Sequence, residues 1–260
     1  MTVAASKVLL PLYIYPAPGK WDPLFKAIKA YPHLEFIVIP NPHSGPGSES
    51  WWPNADYVRE IPRLNEYENV RTVGYVATTY CKRDIDDIFR DIDRYTEWSR
   101  DERFPGLGVS GIFFDATPNL YDEEVKSYLD AVTAKGKGTE GFWGIGRYGE
   151  SKIIIHNPGT AVQKGLAEPG PDITTSAEVA YRFFRSDEFQ NWLAFSPYGR
   201  EHTSYMIHSV EEENVGEVVR SVRDRAQYLF VTDSKVNFYH GFSTTWESFV
   251  AAMTSAPECV

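Results

Sequence analysis

Two cysteines in 260 residues, Cys81 and Cys259, leave neither a disulfide framework nor a zinc-type spacing to organise this chain. Basic residues are also in the minority. The 26 Lys and Arg stand against 36 Asp and Glu, for a net charge of -10, which argues against nucleic acid as a partner because phosphates reward basic surfaces. No window is long and apolar enough for a membrane span. The first stretch, MTVAASKVLLPLYIYPAPG, is interrupted by Lys7 and prolines and makes a poor signal peptide. No N-x-[ST] sequon occurs, so the chain as given reads as cytosolic, or as a trimmed piece of something secreted. The six histidines show no HExxH or comparable spacing, and no metal and no cofactor is expected. A G-x-S-x-G elbow is missing, which removes support for a serine triad.

What the chain does have is aromatic weight: 16 Tyr, 15 Phe and 7 Trp. Such side chains suit flat, hydroxylated or cationic ligands, although they also fill ordinary cores. Apolar runs that end in Gly, Pro, Asn or Asp alternate with amphipathic stretches. The runs lie at 7–16, 34–42, 70–80, 109–115, 151–159, 172–181, 203–210 and 228–233. Helical spacing follows in WDPLFKAIKAYP, from Asn54 to Tyr67, in RDIDDIFRDIDRYTEWSRD, and at about 121–135, 187–194, 213–226 and 245–253. After the fifth run comes a short Gly-containing connection. About eight strand–helix units, roughly thirty residues each, predict a single-domain (β/α)8 barrel, a TIM barrel, over 1–260. Runs such as GIFF and KIIIH are apolar without alternation, as strands buried on both faces should be. An open doubly wound sheet is the alternative, but no G-x-G-x-x-G follows the first strand.

In a parallel barrel, chemistry collects where strands end. The polar residues at those ends include Tyr13, Tyr15, Asn41, His43, Tyr80, Asp115, Asn157, Glu178 and Tyr239. Asp115 and Glu178 are carboxylates within or after otherwise uncharged strands. Two carboxylates in a cleft lined by Tyr and Trp are what glycosidic cleavage requires: one protonates the leaving oxygen, and the other supports charge at the anomeric carbon. Asp115 could instead cap the next helix, though Asn119 is the better cap. The run of Asp84, Asp86, Asp87, Asp91 and Asp93 is interleaved with Arg83, Arg90 and Arg94. It reads as a solvated helix face rather than a metal site. His156, beside KIII, reads as a structural histidine.

Several motifs occur in order: PLYIYP, NPHSGPG, PNADY, VGYVATTY, YTEWSRD, GIFFDATP and HNPGT. They resemble the spherulin-4 family of fungi and slime moulds, which looks like glycoside hydrolase family 135. The resemblance runs from about residue 8 to 180, and more faintly to the end. It implies a (β/α)8 barrel that cleaves internal α-1,4 linkages of N-acetylgalactosamine in galactosaminogalactan, a partly deacetylated and therefore cationic fungal exopolysaccharide. It also implies a secreted or cell-surface location. Asp115 is the expected nucleophile and Glu178 the acid/base, in a retaining, endo-acting monomer. Tyr13, Tyr15, Asn41, His43, Tyr80, Asn157, Tyr239, Trp51 and Trp52 are the expected contacts to an amino-sugar polysaccharide or oligosaccharide. Many members of the family carry Glu directly after the Asp, where this chain has Ala116. On a regular strand that neighbour would face away from Asp115. The departure opens a second reading, a carbohydrate-binding barrel impaired in catalysis.

Overall fold

The computed structural model describes residues 5–47, 53–144 and 152–254. Nine parallel strands form one sheet: β1 (Lys7–Leu12), β2 (Phe36–Pro40), β3 (Val70–Thr72), β4 (Gly74–Ala77), β5 (Gly111–Asp115), β6 (Ile153–Asn157), β7 (Ile173–Ala180), β8 (Thr203–His208) and β9 (Tyr228–Val231). Their spatial order is β3-β2-β1-β9-β8-β7-β6-β5-β4. The two ends of that order, β3 and β4, are neighbours in the chain, separated only by Val73. One predicted strand is therefore split by a bend. Its first half pairs with β2 and its second with β5. Val73 N–H still donates to the Val38 carbonyl at 2.9 Å, while the Thr72 carbonyl accepts from Ser110 N–H at 2.8 Å. The sheet thus curls into a nearly closed barrel, the eight expected strands with the third in two pieces.

Helices cover the outside: α1 (Asp22–Ala30), α2 (Ala55–Asn65), α3 (Ile85–Arg100), α4 (Glu123–Gly138), α5 (Tyr181–Phe184), α6 (Asp187–Leu193), α7 (Val215–Val222) and α8 (Trp246–Thr254). Asn54 caps α2 by accepting from Asp56 and Tyr57 N–H, which satisfies donors that the first turn leaves over. Between β6 and β7 the described residues contain a single 3-10 turn, Lys164–Leu166, and no α-helix. The fifth unit therefore departs from the ideal repeat. The acidic run behaves as a helix face: Asp84 caps α3, and Asp87, Asp91 and Asp93 pair with Arg90, Arg83 and Lys135.

The core is aromatic and aliphatic, with Trp21, Trp98, Tyr95, Phe113 and Phe114 fully buried. Burying apolar surface at roughly 25 cal/mol per Å² is the main term that holds such a barrel together. One position in β5 has no room for a side chain at all. A Cβ on Gly111 would lie 1.9 Å from the Ile153 carbonyl oxygen, so glycine is what lets β5 lie against β6.

Candidate functional site

Ala77, Asp115 and Asn157 share one rung of the sheet, since Ala77 pairs with Asp115 and Asp115 with Asn157. That rung is the carboxyl end of the barrel. Tyr75, two residues down β4 on the same face, donates its hydroxyl to Asp115 Oδ2 at 2.6 Å. On the other side Asn157 Nδ2 donates to Asp115 Oδ1 at 2.8 Å and to Glu178 Oε2 at 2.6 Å. The amide orientation follows from the network, because Asn157 Oδ1 accepts from Gly159 N–H at 3.1 Å, and a backbone N–H can only donate. One amide group therefore holds both carboxylates.

Glu178 reaches this point because β7 is irregular. The pairing with β8 shifts between Thr175 and Ala177, so Ser176 is an extra residue. One inserted residue reverses the in-and-out alternation of everything after it. The carboxylate is then fixed at its other oxygen by Tyr239, whose hydroxyl donates to Oε1 at 2.7 Å. Burial pushes the Glu178 pKa up, and the negative charge of Asp115 adds to that; the Tyr239 and Asn157 donors pull the other way. Burial also pushes the Tyr75 and Tyr239 hydroxyls well up, so both stay protonated and remain donors.

Tyr13 completes the group. Its ring packs edge-on against Tyr75 and Tyr239, at centroid distances of 5.4 and 5.3 Å. Both neighbouring hydroxyls are committed to a carboxylate, whereas the Tyr13 hydroxyl has no hydrogen-bond partner among the described residues. Among those residues no cluster could hold a metal ion.

The other expected contacts among the described residues form no hydrogen bond with the two carboxylates. Tyr15 is tied to Asp56 at 2.5 Å and Asn54 at 3.2 Å. Asn41 Oδ1 accepts from Gly45 N–H at 3.2 Å, so that side chain holds its own loop. His43 is exposed, and no hydrogen bond or ring contact joins it to the carboxylates. Tyr80 is exposed on the β4–α3 connection, with its N–H donating to the Ala116 carbonyl at 2.7 Å. Trp51 and Trp52 lie outside the described residues. The cap of α4 is Asp122, which accepts from Glu124 N–H at 2.8 Å, so neither Asp115 nor Asn119 serves it. Ala116 does not continue the strand alternation. It turns out of β5 with φ of 52°, a left-handed conformation costly for a residue with a Cβ, and its carbonyl takes bonds from Thr78 Oγ1 and Tyr80 N–H.

Sequence reasoning missed Tyr75, whose signal was a tyrosine inside the apolar strand VGYVA. His156 is indeed structural: its Nε2 lies 3.0 Å from Thr133 Oγ1, and burial pushes its pKa down to about 3.

A family model described as Spherulin4, spherulation-specific family 4, matches residues 7–253. The chain belongs to the spherulin-4 family. Spherulin-4 of Physarum polycephalum is 29% identical over 199 residues, 76% of this chain and 52% of that protein. The chain thus spans about half the length of this curated relative. Among solved structures, Sph3 of Aspergillus clavatus in complex with GalNAc is 40% identical, with a TM-score of 0.88 over 96% of this chain and 98% of Sph3. The spherulin-4 barrel described above is therefore shared with a protein seen holding an amino sugar.

Proposed function

We propose that this chain is a glycoside hydrolase that cuts internal α-1,4 linkages of an N-acetylgalactosamine-containing polysaccharide of the galactosaminogalactan type. The observation that carries the reading is the pair of carboxylates sharing the Asn157 amide. Their bonded oxygens cannot be farther apart than the 2.8 and 2.6 Å bonds laid end to end. For those two oxygens, the bound fits the roughly 5–5.5 Å of retaining glycosidases. The likeness to Sph3 with GalNAc supports the choice of sugar.

Glu178, with its proton held more tightly by burial, protonates the leaving glycosidic oxygen. Asp115, aimed by Tyr75 and Asn157, attacks or stabilises the anomeric carbon. Glu178 then takes a proton from the water that completes hydrolysis. Tyr13 offers its uncommitted hydroxyl to the sugar. Reducing ends released from galactosaminogalactan by the wild type, and lost in Asp115→Asn and Glu178→Gln, are the expected result. Full release by both variants would sink the assignment. Ala116 favours a second reading, a barrel that binds the polymer without cutting it. Binding by the wild type with no release, and release gained in Ala116→Glu, would establish that reading instead.

A further inference from the structure

Beside the carboxylate centre, on the same end of the barrel, lies an open cleft of about 450 Å³ between the segments that follow β7 and β8. That volume falls among ligand clefts of roughly 300–1,000 Å³. Its walls include Tyr181, Arg182, Arg185, Ser209, Glu211 and Asn214. The guanidinium groups of Arg59, Arg63, Arg83, Arg90, Arg100 and Arg103 are tied up elsewhere, paired with carboxylates. Arg182 has no such partner among the described residues, and Arg185 lies over the Tyr181 ring at 5.5 Å. Asn214 heads α7 without using its side chain as a cap. Arg182 and Glu211 face one cleft as opposite charges and form no ion pair. A fork of donors and a carboxylate acceptor therefore both remain available to something between them.

We propose that this cleft is an outer subsite for a pyranose unit of the polysaccharide, one or more units removed from the bond being cut; this rests on the hydrolase reading above. A mixed donor and acceptor set beside a tyrosine ring matches vicinal hydroxyls, whereas Glu211 disfavours a purely anionic ligand. Distance requires a chain rather than a single ring. Tyr181 and Ser209 lie three residues past Glu178 and its β8 partner Met206, on the order of 10 Å along the strand direction. A sugar at the carboxylates cannot fill both places, but an oligosaccharide can. The two places share supports as well: Ser209 Oγ lies 3.0 Å from His208 Nδ1, His208 stacks on Phe238 at 4.3 Å, and Phe238 packs on Tyr239, which holds Glu178.

The test compares wild type with the double variant Arg182→Ala/Asn214→Ala on galactosaminogalactan and on an α-1,4-linked N-acetylgalactosamine trimer. The ratio of polymer to trimer kcat/KM should fall roughly 5- to 30-fold, mostly through KM. An unchanged ratio overturns the subsite, whether both rates hold or both fall together. Retardation of the protein in gels containing the polymer gives a readout that needs no turnover. A wild type retarded but inactive, with the variant less retarded, ends the hydrolase reading and upholds the subsite. A wild type neither active nor retarded ends both.

Discussion

Replacing Asn157 by Ala removes at one stroke the group that holds the two carboxylates. Each of its bonds, at 2.8 Å to Asp115 and 2.6 Å to Glu178, is charge-assisted. Such a bond is worth about 1.5–3 kcal/mol. Without the amide the carboxylates also face each other with no donor between them. At a separation near 5 Å and an effective dielectric of about 20, that repulsion is about 3 kcal/mol. Both groups keep some contact with solvent, which screens part of this, and about 3 kcal/mol remains as a reasonable total. Carried into the transition state, it lowers kcat/KM about 100-fold. The pH profile should move too. The Asn157 donor favours the ionised form of Glu178, so its loss raises a pKa that burial has already raised. The limb on which activity falls as the acid gives up its proton therefore shifts to higher pH. Asn157→Asp separates this from local loosening, because it keeps an acceptor for Gly159 N–H while replacing the donor with a charge. Its activity should be low at neutral pH and recover on acidification. Reducing-end assays across pH read both variants. Asn157→Ala within about three-fold of wild type, with the limb unmoved, would refute the reasoning.

Tyr75→Phe deletes only the hydroxyl on Asp115, so kcat should fall about 10- to 100-fold while Tm hardly moves, the ring still packing on Tyr13 and Phe113; a Tm loss matching the rate loss would contradict this. His156 has a folded pKa of about 3, below its unfolded value near 6.5. It stays neutral in the folded state, and stability is lost as pH falls from about 6.5 toward 3, where only the unfolded chain takes up the proton. Between pH 7 and 4.5 that amounts to about 2–3 kcal/mol, and His156→Gln should remove it; urea midpoints at the two pH values decide the matter. Gly111→Ala drives a methyl into the Ile153 carbonyl at 1.9 Å and should cost several kcal/mol or prevent folding, visible as lost soluble protein or a collapsed Tm.

The strands were legible because each is a short apolar run that local spacing can reveal, and a parallel barrel buries both faces of such runs. GIFF ending on Asp115 and KIIIH carrying His156 are of this kind, and so is the amphipathic, ion-paired α3. Cap choice was less legible: Asp122 and Asn119 are both plausible by residue type, and only the backbone decides between them.

The sequence by itself determined where the chain goes apolar, and hence the eight strand positions, most of the helices that alternate with them, and the delivery of Asp115 to a strand end. Tertiary structure alone decided the rest. The bend at Val73 divides one strand between the two ends of the sheet, and the extra residue Ser176 turns Glu178 toward Asp115. Tyr75, Asn157 and Tyr239 meet the two carboxylates from three distant parts of the chain. Periodicity is a property of a short window, whereas register and closure depend on strands far apart in sequence, and it is register and closure that place those hydroxyls and that amide within hydrogen-bond reach.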